Sequence, residues 1–416
     1  MGGYVPRLLD AELADVVATH PAVLVVGPRA CGKTTTTRRH CRSVLRLDVP
    51  AQAALARVDP DVALRGLEEP VLIDEWQVVP EILGAVKRAV DDDPRPGRFV
   101  LTGSAQADLT SSGWPATGRI VRLTMFPLVG RERHGDAAAP SLIDRLFSDG
   151  ADVLADSAVD QDVEGYVTEA LTSGWPEALR VPTDRARDRW LRGYVDHLAT
   201  REALALGLAR DPSRLRRYLQ AVAANTAGTP THKLLYDAAG IDRATAVGYD
   251  TLLESLMITQ RVPSWAGNRT DRALRLPKRF LIDPGLLGPL LLVDHRRALR
   301  DPDLLGRTLD TLVAAQFRAE CTVSTIGADL FHLRDANGRR EIDLIIESRD
   351  GHVLAIEVKA TSSPSSHDAR HLEWLRDQLG NRFTMGLVVH TGPRVFRLAD
   401  RVLAVPLAAL WSSALR

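Results

Sequence analysis

The sequence has little cysteine, little lysine and no long apolar run, and each shortage excludes something. Cys31, Cys41 and Cys321 are the three cysteines of 416 residues. They are odd in number and form no CxxC pair, which argues against a disulfide framework and against a zinc site. No apolar stretch reaches the roughly 18 residues that a membrane span needs, and the opening MGGYVPRLLD lacks a basic segment followed by an apolar one. A soluble chain in a reducing cytoplasm is expected, with no membrane partner. Charge of one sign is also lacking, since Lys plus Arg and Asp plus Glu both total 53. No global field therefore draws nucleic acid or anionic lipid, and such contacts need a local patch. Lysine is scarce: only Lys33, Lys87, Lys233, Lys278 and Lys359 occur. A compact ammonium fits a tight phosphate or metal-water site better than the planar arginine fork does. Two of these lysines fall inside the motifs below.

What is present is ordinary globular material, 45% hydrophobic and 25% charged, with length enough for two or three domains. Near-continuous apolar strands AVLVVG (Ala22 to Gly27), VLRLDV (Val44 to Val49), PVLIDE (Pro70 to Glu75), RFVLTGS (Arg98 to Ser104) and RIVRLTM (Arg119 to Met125) alternate with helical stretches. That pattern predicts an α/β domain with a parallel sheet covered on both faces, over residues 1–140. Residues 141–300 read as helical. Within them THKLLYDAAGIDRATAVGYDTLLESLMI has the helix, Gly240 turn and second helix of a helix-turn-helix, with NRTDRALRLPKRFLIDP as a possible wing. Arg243, Arg269, Arg272, Lys278 and Arg279 would give that region a basic patch for phosphate contacts. Residues 301–416 return to strands, with hairpin turns at Asn337-Gly338 and Asp350-Gly351, a helix near Ala369 to Leu379 and a strand at Met385 to Val389.

Two motifs carry chemistry. GPRACGKT, from Gly27 to Thr34, is a complete G-x-x-x-x-G-K-[ST] pattern placed directly after a strand and before a helix. Gly27, Arg29, Ala30, Cys31 and Gly32 would offer backbone amides to ATP phosphates, with Pro28 shaping the same loop and Thr35 following in the helix. Lys33 would reach the β- and γ-phosphates, and Thr34 would place its hydroxyl on Mg²⁺. In VLIDEWQ, a buried strand delivers Asp74 to its C-terminal edge, where it would hold the Mg²⁺ through water. Glu75 is the expected general base for the attacking water. Thr102 and Ser104, at the end of RFVLTGS, are candidates to sense the γ-phosphate. Arg119 is a candidate charge-stabilising arginine, with surface solvation the plainer alternative.

GPRACGKTT, VLIDEWQVVPEIL, LTGSAQ and GRIVRLTMFPL together resemble a bacterial and archaeal family of AAA-type ATPases. SGWPEAL, the helix-turn-helix stretch and EIDLII…AIEVKAT resemble the C-terminal region that accompanies this ATPase domain, so most of the chain is covered. The resemblance implies ATP and Mg²⁺ as cofactors and a strand order of 5-1-4-3-2, but little about biological purpose. In the last region, strand period two puts Glu357 and Lys359 on one face, and a hairpin would bring Asp343 beside them. Two carboxylates and a lysine at a strand edge resemble the PD-(D/E)xK nuclease site, in a restriction-endonuclease-like α/β domain. There Asp343 and Glu357 would bind a metal and Lys359 would orient water. A buried structural ion pair is the competing explanation. Asp310, on the preceding helix, is a candidate third acid. The expected activity is Mg-dependent ATP hydrolysis driving a switch that acts on DNA or another nucleic acid. An ATP-gated regulator or scaffold with a protein partner is the alternative.

Overall fold

A computed structural model describes residues 3–103, 118–135, 137–154, 160–202, 211–267, 272, 275–335 and 338–411. Two compact units emerge: Met1–Pro127 with Ser255–Met257, and Leu128–Glu254 with Ile258–Arg416.

In the first unit the five expected strands form at β1 (Ala22–Val26), β2 (Ser43–Arg46), β3 (Val71–Asp74), β4 (Phe99–Gly103) and β5 (Ile120–Thr124). All neighbours run parallel, in the order β2-β3-β4-β1-β5. This is the order that the family resemblance implied, read from the other edge. Every residue of β1, β3 and β4 is buried, which is why these segments are apolar throughout rather than alternating. The helix Ile82–Asp92 covers the sheet with Ile82, Leu83, Ala85, Val86 and Val90. These side chains pack with Leu24, Ile73 and Leu101 in one core. Truncating one such leucine or isoleucine to alanine costs about 2–5 kcal/mol. The sheet thus fixes the C-terminal ends of β1, β3 and β4 side by side, where an open α/β sheet binds ligands.

The second unit begins helical. Its helix His232–Ala239 starts on Thr231, whose hydroxyl accepts from the Leu234 amide, and ends on Gly240 in the left-handed region at φ 63°. The helix Arg243–Ser255 follows, so both helices read from the sequence are present. Downstream, β6 (Thr259–Val262) pairs antiparallel with β7 (Lys278–Leu281). The long helix Pro302–Thr322 then packs Leu309, Leu312, Val313 and Phe317 against the last sheet. That sheet joins β8 (Asp329–Arg334), β9 (Glu341–Glu347), β10 (Val353–Lys359), β11 (Phe383–His390), β12 (Phe396–Ala399) and β13 (Val402–Pro406) in the order β12-β13-β11-β10-β9-β8. It is mixed: β8-β9, β9-β10 and β12-β13 are antiparallel, β10-β11 and β11-β13 parallel. The helix Ser366–Leu379 makes the parallel crossover between β10 and β11. Gly351, at φ 85°, closes the β9-β10 turn with its amide on the Ser348 carbonyl at 2.9 Å.

Candidate functional sites

The phosphate-type loop leaves β1 at Gly27 and enters the helix Lys33–Thr37 through Gly32, at φ 106°. Gly27 has no room for a side chain, because a Cβ there would lie 2.2 Å from the Met125 carbonyl oxygen. Pro28 and Cys31 are buried while Arg29, Ala30 and Thr35 are exposed. Lys33 is 5% exposed, and its ammonium donates to the Gly27 and Pro28 carbonyls at 3.0 and 2.9 Å. The ammonium is therefore held over the loop itself. Arg7, which belongs to no motif, braces the same loop. Its guanidinium donates to the Cys31 carbonyl at 2.9 Å and the Phe126 carbonyl at 2.6 Å.

Asp74 ends β3 as a buried carboxylate. Its Oδ1 accepts the Thr34 hydroxyl at 2.8 Å and the Thr102 hydroxyl at 2.5 Å. One oxygen thus draws together residues from the loop helix, β3 and β4. Glu75 stands next to it in the left-handed region, at φ 57° and ψ 49°, a costly conformation for a residue with a side chain. The Gln77 amide donates to Glu75 Oε2 at 2.5 Å. The Trp76 and Gln77 side chains lie close over Gly103, where an added Cβ would approach Trp76 Nε1 to 2.6 Å. Ser104 lies outside the described residues. Arg119 pairs with Asp91 at 2.9 Å on the surface, in line with the plainer alternative for it.

Three of the five cations expected to form a basic patch in the middle region, Arg272, Lys278 and Arg279, are instead paired internally. Arg279 makes a buried bidentate pair with Asp250 at 2.7 and 2.8 Å, and Asp250 also accepts from Tyr218 at 2.7 Å. Arg272 pairs with Glu347 at 2.6 Å and lies over the Trp265 and Phe331 rings. Lys278 is 1% exposed and points into the C-terminal domain. Arg243 is exposed, and Arg269 lies outside the described residues. Alternation along β7 puts Lys278 and Arg279 on opposite faces, and each face is covered. A run of cations in the sequence reports its charge but not which residues are buried against carboxylates.

The C-terminal cluster is where Lys278 goes. Its ammonium lies 2.7 Å from Asp343 Oδ1 and 3.6 Å from Asp310 Oδ2. The other Asp343 oxygen accepts the Val358 amide at 2.9 Å. Lys359 pairs with Glu357 at 2.6 Å on the shared strand face, and Glu357 Oε2 is buried with no hydrogen-bond partner. Burial opposes ionisation of Asp343, but the Lys278 ammonium overrides it and holds the carboxyl below its ordinary range. Burial and the Asp343 charge push Glu357 up to about 8 and Asp310 to about 7. Mg²⁺ requires oxygen ligands at about 2.0–2.1 Å in near-octahedral geometry. Among the described residues no group of three or more His, Cys, Asp or Glu is arranged to hold a metal ion. A cation on Asp343 would have to displace the buried Lys278 ammonium from Oδ1 or lie against its charge, so these residues do not fit a divalent cation.

Residues 19–134 match the AAA domain, residues 163–297 a domain of unknown function, DUF8612, and residues 305–410 another, DUF4143. Uncharacterized proteins of Mycobacterium tuberculosis and Mycobacterium bovis are each 28% identical over 407 residues, covering 95% of this chain and 82% of theirs. A solved Walker-type ATPase of Pyrococcus abyssi is similar at 16% identity and a TM-score of 0.42, over 68% of this chain and 94% of that one. No helix among the described residues is long and apolar enough to cross a membrane. The segment that matches the AAA domain, residues 19–134, thus holds the loop sequence and the five-stranded parallel sheet, and its similarity is to AAA-type ATP-binding domains.

Proposed function

We propose that this chain binds Mg-ATP on Gly27 to Thr34, hydrolyses it with Asp74 and Glu75, and uses the cycle as a conformational switch. The observation that carries this reading is the convergence of the Thr34 and Thr102 hydroxyls on Asp74, in a chain whose Lys33 ammonium is held on the Gly27 and Pro28 carbonyls of the loop. Backbone N–H groups between Gly27 and Thr35, Pro28 excepted, would cradle the phosphates, and Lys33 would leave its two carbonyls for the β- and γ-phosphate oxygens. Thr34 and Asp74 have the oxygen chemistry and proximity to hold Mg²⁺, which when bound withdraws charge from the bridging phosphate oxygens. Glu75 takes a proton from the attacking water, and Gln77 orients its carboxylate for that step. Thr102 and Ser104 would register the γ-phosphate.

For the target, the ion pairing favours the ATP-gated regulatory or scaffold reading over direct action on nucleic acid. Arg272, Lys278 and Arg279 are spent on Glu347, Asp343 and Asp250. The strand-strand-strand-helix-strand order of β8 to β11 supports a restriction-endonuclease-like frame, used here without its metal chemistry. The test is calorimetry and turnover with Mg²⁺ and ATP on the full chain, beside Lys33→Ala. Wild type should bind ATP with Mg²⁺ and release phosphate, and Lys33→Ala should do neither measurably. A wild-type chain that gave no binding heat with either adenine or guanine nucleotides would end this reading.

A further inference from the structure

We infer that Lys278 is the resident cation of the C-terminal carboxylate cluster, standing where a nuclease of this arrangement would carry a divalent metal. Its ammonium belongs to β7, in the two-stranded ladder of the middle region, whereas Asp343 belongs to β9 and Glu357 to β10. The cation is therefore a covalent part of a neighbouring layer, and it ties that layer to β9 of the last sheet.

Three features lead to this assignment. The first is saturation: Lys278 takes one Asp343 oxygen at 2.7 Å and the Val358 amide takes the other at 2.9 Å. A metal at bonding distance from Asp343 would have to displace the ammonium or sit against its positive charge. The second is charge. Asp310, Asp343 and Glu357 are served by Lys278 and Lys359, whereas a metal would add two further positive charges beside two ammoniums. At interior dielectric such like-charge contacts are strongly unfavourable. The third is residue choice. Positive charge elsewhere in this chain is almost all arginine, yet two of its five lysines meet here. A guanidinium is planar and broad, whereas a compact ammonium with three donors can occupy the volume of an ion. With the cation built in, the cluster fastens β7 to β9 and performs no hydrolysis.

The experiment uses the full chain without nucleotide and probes it with Mn²⁺. Titration calorimetry of wild type and Asp343→Asn should give the same heats, because no Mn²⁺ reaches Asp343. Mn²⁺ binding in wild type that Asp343→Asn abolishes would overturn the assignment. Should Asp343→Asn fail to fold, the position of metal-directed cleavage in wild type decides. With Fe²⁺ and ascorbate, backbone cleavage should be absent around residues 343 and 357, and cuts there would overturn it. Lys278→Met leaves buried carboxylates without their cation, so the unit holding them should melt roughly 5–15 °C lower. An unchanged melting temperature would mean that Lys278 is no necessary counter-ion, and the assignment would fail. None of these readings depends on nucleotide binding, so failure here and failure of the ATPase reading are separable.

Discussion

Neighbouring residues at the end of β3 divide the work that two carboxylates can do. Asp74 is buried and accepts two hydroxyls on one oxygen, which suits it to hold a position. Glu75 is held in a left-handed backbone conformation and oriented by Gln77, which suits it to move a proton. Glu75→Gln should therefore keep ATP binding while turnover falls by about 10² to 10⁴-fold, as paired calorimetry and phosphate-release assays would show. Equal loss of binding and turnover would place Glu75 in the binding set instead. A different residue governs acid sensitivity. His332 is 1% exposed, bonds the Leu276 carbonyl through Nε2 at 3.1 Å and has no partner at Nδ1. Burial, with the Lys278 charge added, pulls it down to about 4. The sign follows from linkage: between about pH 6.5 and 4 the unfolded chain binds a proton that the folded one refuses. Stability present above pH 6.5 is therefore lost on acidification, by up to about 3 kcal/mol from this residue. Melting curves from pH 7 to 5 should fall less steeply for His332→Gln than for wild type. Parallel slopes would remove His332 from the account.

Among the elements, legibility followed periodicity and chain-local chemistry. The five strands of the parallel sheet were readable because each is apolar on both faces, and the loop between β1 and its helix because eight residues specify it. The two helices around Gly240 were readable because that glycine breaks the apolar spacing and adopts φ 63°. Pairing across distant segments was not readable. Arg7 reaches Cys31, Lys278 reaches Asp343 and Arg279 reaches Asp250, and nothing local to any of these residues names its partner. The strand order came from resemblance, since spacing alone permits many parallel orders. Local rules also give a paired test. Gly240 occupies a left-handed position, so Gly240→Ala should destabilise by about 1–2 kcal/mol. Gly248 lies inside the helix Arg243–Ser255 with nothing within 4 Å of an added Cβ. Gly248→Ala should stabilise by about 0.5–1 kcal/mol. Chemical denaturation of both variants checks the opposite signs, and a common sign would refute the assignment of roles to these two glycines.

At the scale of the whole molecule, the balance of charge bears on what ATP turnover can be coupled to. Net charge is +0, and several cations that might have met a phosphate backbone already face carboxylates at 2.6 to 2.7 Å. A nucleic acid would have to displace buried partners from Lys278 and Arg279, at the cost of leaving Asp343 and Asp250 as uncompensated interior charges. Exposed arginines such as Arg243 remain, but binding driven by phosphate contacts scales with the number of contacts and fades steeply with salt. ATP turnover is therefore expected to be the same with and without single-stranded or duplex DNA at about 50 mM salt, where such contacts are strongest. A several-fold stimulation at low salt that disappears by about 200 mM would show that the exposed arginines suffice to recruit nucleic acid. The switch would then act on DNA even though its C-terminal cluster is locked by Lys278. Absence of stimulation leaves a protein surface as the coupled element, because a nucleotide cycle performs useful work only when its states differ in affinity for something else.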